Sequence, residues 1–224
     1  MNNPDRIGQF FLSREKNVRE FIFILYGVGI AGTALPLTRE VFIFLTPFVL
    51  LISLFVLWIF HDPQPGIKVP AVLISIFAAS FLVEMAGVNT GRIFGDYSYG
   101  RGLGLKILET PLLIGLNWVL LVYCTAAIFE KRAIGNILKI TAASLLMVAY
   151  DLVMEQVAPV MDMWSFRGDM VPFRNYLAWF IMALAFHTLL KITGIKVPNR
   201  FAPLIFWCQA VFFVLLLIIF KIIK

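Results

Sequence analysis

The 224 residues carry a formal net charge of +6, and they are 61% hydrophobic but only 14% charged, whereas ordinary globular domains are under half apolar and about a quarter charged. That much apolar surface excludes a water-soluble domain with one hydrophobic core and points to lipid as the solvent. The basic residues are scattered between apolar runs, where the bias of membrane loops and anionic head groups accounts for them without nucleic acid.

Seven apolar runs follow in chain order, at about 18–35, 40–60, 68–88, 107–129, 136–158, 172–192 and 200–222. A run of about 20 residues crosses roughly 30 Å of hydrocarbon as a helix. None shows the alternation of a barrel strand, and lipid leaves no other way to satisfy the backbone. The expected fold is therefore all-α, a polytopic transmembrane helical bundle of about seven spans forming one integral membrane domain over 1–224. The first run follows Arg6, Arg14 and Lys16 and ends in Ala31, Gly32 and Ala34, superficially like a secretory signal. Its length and the six runs behind it predict a retained helix instead. Turn signals at Asp62-Pro63-Gln64-Pro65-Gly66 and Val197-Pro198-Asn199 separate neighbouring runs. With the N-terminus inside, Lys and Arg number eleven on the cytoplasmic side against eight on the other, which predicts a cytoplasmic N-terminus.

Two connections stand apart, Asn89 to Lys106 and Pro159 to Val171, both rich in Gly, aromatic and charged residues. With seven spans they fall on one face of the membrane. The helix before each ends in carboxylates (Glu84; Asp151 and Glu155), and the run after each holds Pro, then Asn and Trp (Pro111, Asn117, Trp118; Pro172, Asn175, Trp179). This pattern suggests a degenerate repeat of two hairpins, although proline is common at helix starts in any case.

A carboxylate within a span is costly to expose to lipid, so it faces the bundle interior and marks a candidate functional site. Asp151 and Glu155 are four apart, hence on one face of the fifth helix, and Glu84 lies at similar depth on the third. Acids so close resist ionising together, which keeps a proton on one of them at neutral pH and describes a general acid. The structural reading places the same acids at the water interface or in ion pairs with Arg92, Arg167 or Arg174. Around them stand Tyr97, Tyr99, Trp118, Trp164, Phe166, Tyr176 and Trp179, whose ring faces suit a carbocation, as they also suit an interfacial aromatic belt. His61 and His187 join no ligand-spaced cluster, so no metal is expected. Cys124 and Cys208 show no disulfide or metal spacing, and no phosphate loop or nucleophile motif occurs.

These residues resemble a known family. The run from Glu84 through Asn89-Thr90-Gly91, Gly95-Asp96-Tyr97 and Tyr99, then Leu103-Gly104, Pro111 and Asn117-Trp118, is similar to the membrane-embedded carotenoid-biosynthesis family that includes γ-carotene 1′-hydratases and bisanhydrobacterioruberin hydratases. So are Asp151-x3-Glu155-x3-Pro159, Trp164-Ser165-Phe166 and Val171-Pro172-x2-Asn175-Tyr176-x2-Trp179. The matched positions cover roughly residues 80–180. The chain departs from the family pattern at Ile93, where Pro is usual, at Glu155, where Asp is common, and at Phe166, where Trp is common, which bears on substrate preference.

The resemblance implies a hydro-lyase that adds water, without a cofactor, to the terminal double bond of a linear carotenoid ψ-end such as that of γ-carotene or lycopene, in a bacterial or archaeal cytoplasmic membrane. Protonation at C2 leaves a tertiary cation at C1, which needs an acid, aromatic faces and one held water. On that reading Asp151 or Glu155 donates the proton, Glu84 with Asn117 or Asn175 positions the water, and Tyr97, Trp118, Trp164 and Trp179 surround the cation. The partners are then the carotenoid and membrane lipid.

Three other readings compete. A retinal protein needs a lysine in the middle of the last span, where only Lys221 at its end is present. A membrane prenyltransferase would hold magnesium diphosphate on Asp151-x3-Glu155 but lacks a second acidic cluster. A pigment-binding scaffold or transporter would use the acids as a proton relay without turnover.

Overall fold

The computed structural model describes residues 10–61, 67–168 and 170–222. The turn expected at 62–66 lies outside the described residues, as does Arg6. Seven long helices follow the apolar runs: α1 (Glu15–Ala34), α2 (Arg39–Ile59), α3 (Lys68–Thr90), α4 (Leu112–Glu130), α5 (Asn136–Val157), α6 (Phe173–Ile192) and α7 (Ala202–Ile222). Among the described residues, α2 to α7 are six helices long and apolar enough to cross a bilayer. α1 has 20 residues, about 30 Å of helix, but Arg19 and Glu20 sit inside its apolar run. It packs along α7 and α2, and the arrangement agrees with a bundle of about seven. Large side chains such as Phe44, Trp58, Ile137, Leu152 and Trp207 stand exposed on the outer helix faces, as lipid contact requires. The protein is an integral membrane protein.

α4 is the central helix. Every residue from Leu113 to Ala126 is buried except Leu116, and α4 touches α3, α5, α6, α7 and α2. Gly115 permits the close α3 approach, since a Cβ there would meet the ring and carbonyl oxygen of Phe77. Gly91, at φ 63°, closes α3 in the left-handed conformation that a glycine takes without penalty.

The two long connections meet, as expected, at one end of the bundle. Strand β1 (Tyr97–Tyr99) pairs antiparallel with β4 (Trp164–Phe166), in the register Tyr97 with Phe166, Ser98 with Ser165 and Tyr99 with Trp164. Both strands read aromatic-Ser-aromatic, with the aromatics buried and the serine exposed. The two-hairpin repeat therefore has a structural counterpart, centred on the Ser98 and Ser165 pair. Beyond the strands the Gly100 and Gly102 amides donate to the carbonyls of Met163 (2.9 Å) and Asp162 (2.7 Å), so β1 and β4 continue into a clasp. A Cβ on Gly100 would collide with the Asp162 backbone and carboxylate. Gly100→Ala should therefore cost about 1–3 kcal/mol through forced backbone movement, read as an earlier thermal unfolding transition in detergent.

One boundary differs from expectation. The fourth run reads as helix from 107, but α4 begins at Leu112, because residues 106–111 form a small hairpin, β2 (Lys106–Ile107) with β3 (Thr110–Pro111). Leu108 and Glu109 both have positive φ, 47° and 63°, the two-residue turn geometry that suits strand twist. Hydropathy alone reads Ile107 and Leu108 as part of a span.

Candidate functional site

The three acids converge at the clasp end of the bundle. Asp151 and Glu155 lie one turn apart on α5 and Glu84 lies on α3, with exposures of 0%, 4% and 3%. None of the ion pairs among the described residues includes them: Arg167 instead pairs with Asp96 (2.9 Å) on the exposed rim. What satisfies them is a set of neutral donors. Glu84 accepts from the hydroxyls of Tyr97 (2.8 Å) and Tyr99 (2.7 Å) at Oε2, and from the Trp118 indole (2.9 Å) at Oε1. Glu155 accepts from the Trp164 indole (2.8 Å). The Asn175 amide, from the start of α6, bridges Asp151 Oδ2 and Glu155 Oε1 at 3.0 Å each.

The two halves repeat one scheme, in which a helix supplies the acid, the following connection an aromatic donor, and the next helix a second donor. Burial, with the Glu84 charge adding, pushes the Tyr97 and Tyr99 hydroxyls well above the ordinary tyrosine range, so both stay protonated as donors. Asp151 Oδ1 differs from every other oxygen of the trio in being buried without a partner among the described residues. An unpaired buried polar atom is costly and calls for an explanation.

Three cavities bear on the cluster. A pocket of about 10 Å³, lined by Glu84, Tyr97, Tyr99, Glu155, Trp164 and Asn175 among others, has room for about one water. Trp164 also lines a second, apolar cavity of about 420 Å³ bounded by α1, α2, α4, α5 and α7, with Asn117, Met154 and Leu103 among its lining residues. Tyr97, Tyr99 and Phe166 also line an open polar hollow of about 410 Å³, together with Asn89, Asp96, Glu109 and Arg167. Trp164 thus borders both the small pocket and the apolar chamber, and Tyr97, Tyr99 and Phe166 border both the small pocket and the polar hollow.

The sequence profile described as carotenoid biosynthesis protein matches residues 41–224, most of the chain and all of this site. The chain belongs to that family. Bisanhydrobacterioruberin hydratase of Haloarcula japonica is 26% identical over 122 residues, covering 49% of this chain and 40% of that protein, so the match takes in two fifths of the relative's length. No solved structure matches the chain.

The other residues singled out from sequence fall into place around this centre. The Trp179 ring packs on Trp118 with centroids 4.3 Å apart and 30° between planes. Asn117 lines the apolar chamber, while Asn175 holds the acids. Tyr97, Trp118 and Trp164 are more than ring faces, since each spends its polar atom on a carboxylate. Tyr99 carries the shortest of these bonds. Its spacing from Tyr97 on a two-residue period was the available signal, since alternate strand residues share a face. Among the described residues no three of His, Cys, Asp and Glu are grouped to hold a metal ion. His187 instead bonds Thr125 (2.9 Å) and Ser144 (3.2 Å) between α4, α5 and α6.

Proposed function

We propose that this member of the family is a carotenoid hydratase, adding water to the terminal 1,2 double bond of a linear ψ-end of the γ-carotene or lycopene type to give a tertiary alcohol, with no cofactor. The observation that carries this reading is a buried cluster of three acids in which Asp151 Oδ1 is unpartnered and Glu84 and Glu155 line a pocket the size of one water. The name of the Haloarcula japonica relative supports it.

In this scheme the polyene lies in the apolar chamber and its tip reaches past Trp164. Asp151 donates its proton to C2, and the electron pair of the double bond forms the new C–H bond, leaving the tertiary cation at C1. Glu84, held by three donors, provides fixed negative charge opposite the cation, with Trp164 and Trp179 presenting ring faces and Trp118 backing Trp179. The water adds to C1 and loses a proton to Glu155. That proton returns to Asp151, its neighbour across the Asn175 amide, so the cycle closes with only water consumed. With the N-terminus cytoplasmic, the polar hollow opens on the non-cytoplasmic side, and water arrives past Tyr97 and Tyr99.

Expression in a host that makes lycopene or γ-carotene tests the reading directly. Extracted pigment should contain a more polar species heavier by one water, with an unchanged chromophore, and membranes treated with a chelator should form it equally well. Unchanged pigment despite confirmed membrane expression would overturn it. A product that vanishes on chelation would favour magnesium-dependent prenyl transfer on Asp151-x3-Glu155 instead.

A further inference from the structure

The wall of the apolar chamber is not alike on all sides. No lining residue from α4, α5, α7 or the two connections is exposed, and Asn117, Met154 and Trp164 are buried. The lining residues that do stand exposed all come from α1 and α2: Phe21, Ile24 and Val28 on the first, Leu45 and Phe48 on the second, with Ile24 at 63%. A closed cavity would bury its lining, so these side chains mark a mouth between α1 and α2 on the outer surface of the bundle.

Two contacts join the helices on either side of this mouth. A Cβ on Gly32 would collide with the Phe42 ring, and the Tyr26 hydroxyl lies 3.0 Å from Ser53 Oγ. Val28, Leu45 and Phe48 fall between those points along their helices. The residues at the opening are apolar, as contact with lipid tails requires.

The chamber is also too short for the substrate. Its lining follows α1 from Phe21 to Thr33, about 18 Å of helix. An extended carbon chain advances about 1.2 Å per bond, as a peptide backbone does, so a linear carotenoid is roughly 35 Å from end to end. The remainder loses nothing by staying in the bilayer, because lipid tails are as apolar as the chamber wall.

We propose that the gap between α1 and α2 is a lateral portal through which a linear isoprenoid enters from the bilayer end first, and that the bound substrate stays half inserted, with one terminus beside Trp164 and the other in lipid. The inference rests on the reading that the chamber holds the isoprenoid. It makes the protein a reader of one terminus: a free isopropylidene end on a slender chain of about 18 Å fits, whatever group closes the far end.

Photo-crosslinking of the full chain in lipid nanodiscs tests this without turnover. The probe is hexaprenyl methyl ether carrying a diazirine about 18 Å from its isopropylidene terminus, which half insertion places at the mouth. Adducts that excess unlabelled ether suppresses should map to residues 21–28 of α1 and 45–48 of α2. Two pairs of competitors then read the far end, the methyl and trityl ethers of hexaprenol and the same two ethers of geraniol. Hexaprenyl trityl ether should compete as well as its methyl counterpart, since its bulky group lies in lipid. Geranyl trityl ether should compete at least about ten-fold less well than its methyl counterpart, because a chain of roughly 10 Å drags the group into the mouth.

Suppressible adducts on other helices, or none at all, would overturn the portal. An equal loss for both trityl ethers would show the whole chain enclosed, and no loss for either would show that the terminus does not enter the chamber; each result overturns half insertion. No water is added in this assay, so its outcome is distinct from that of the pigment experiment. Adducts at the mouth of a protein that never hydrates a carotenoid would leave the portal standing and remove only the reaction.

Discussion

Asp151→Asn should abolish water addition, with product in the pigment assay reduced by about 10²–10⁴-fold at equal expression, the usual contribution of a positioned general acid. The substitution is nearly isosteric at a site with no exposure. It leaves the Asn175 bridge an oxygen to bond, so the protein should still be recovered folded from membranes. What it removes is the one oxygen of the trio that has no partner among the described residues and the proton assigned to it. Glu155→Gln should also lose turnover, since the proton from water then has no base on its way back to Asp151. Full product formation by both variants would end the acid assignment while leaving family membership untouched.

Glu84→Leu is expected to have the largest effect on stability of any single substitution at the site. It strands three buried donors, the hydroxyls of Tyr97 and Tyr99 and the Trp118 indole. At about 1–3 kcal/mol for each unpaired group, the loss is roughly 3–9 kcal/mol. Thermal unfolding in detergent measures it. Removing the two stranded hydroxyls as well, with Tyr97→Phe and Tyr99→Phe in the Glu84→Leu background, should recover part of the loss, because an apolar pair costs less than a lone donor. Were the triple variant less stable than Glu84→Leu alone, Glu84 would not be the group that holds the two connections in place.

The two expectations separate roles that the amino-acid pattern left together. All three acids were visible as carboxylates inside apolar runs, but their bonding differs: Glu84 is saturated by donors, Glu155 is bonded at both oxygens, and Asp151 keeps one oxygen bare. The first arrangement suits a fixed charge and the last an acid that keeps its proton for transfer. Gly100, Gly102 and the β1 and β4 pairing act on the same centre at one remove, by setting where Tyr97, Tyr99 and Trp164 come to rest.

What the sequence determined by itself was whatever depends on local composition and period. Runs of about 20 apolar residues have one stable form in lipid, so helices and their approximate ends could be read directly. A separation of four places Asp151 and Glu155 on one helix face wherever that helix packs. The spread of motif positions from Glu84 to Trp179 placed the chain in its family.

The tertiary structure decided what depends on residues far apart in the chain. Pairing of Tyr97-Ser98-Tyr99 with Trp164-Ser165-Phe166 joins segments some 67 residues apart, and neither three-residue piece is a strand without the other. The early end of the fourth apolar run turns on positive φ at Leu108 and Glu109, which hydropathy does not sense. The chamber exists only where α1, α2, α4, α5 and α7 and the two connections leave space between them. Helices form from local backbone bonds, but a site forms from the bonds that remain after the helices have packed.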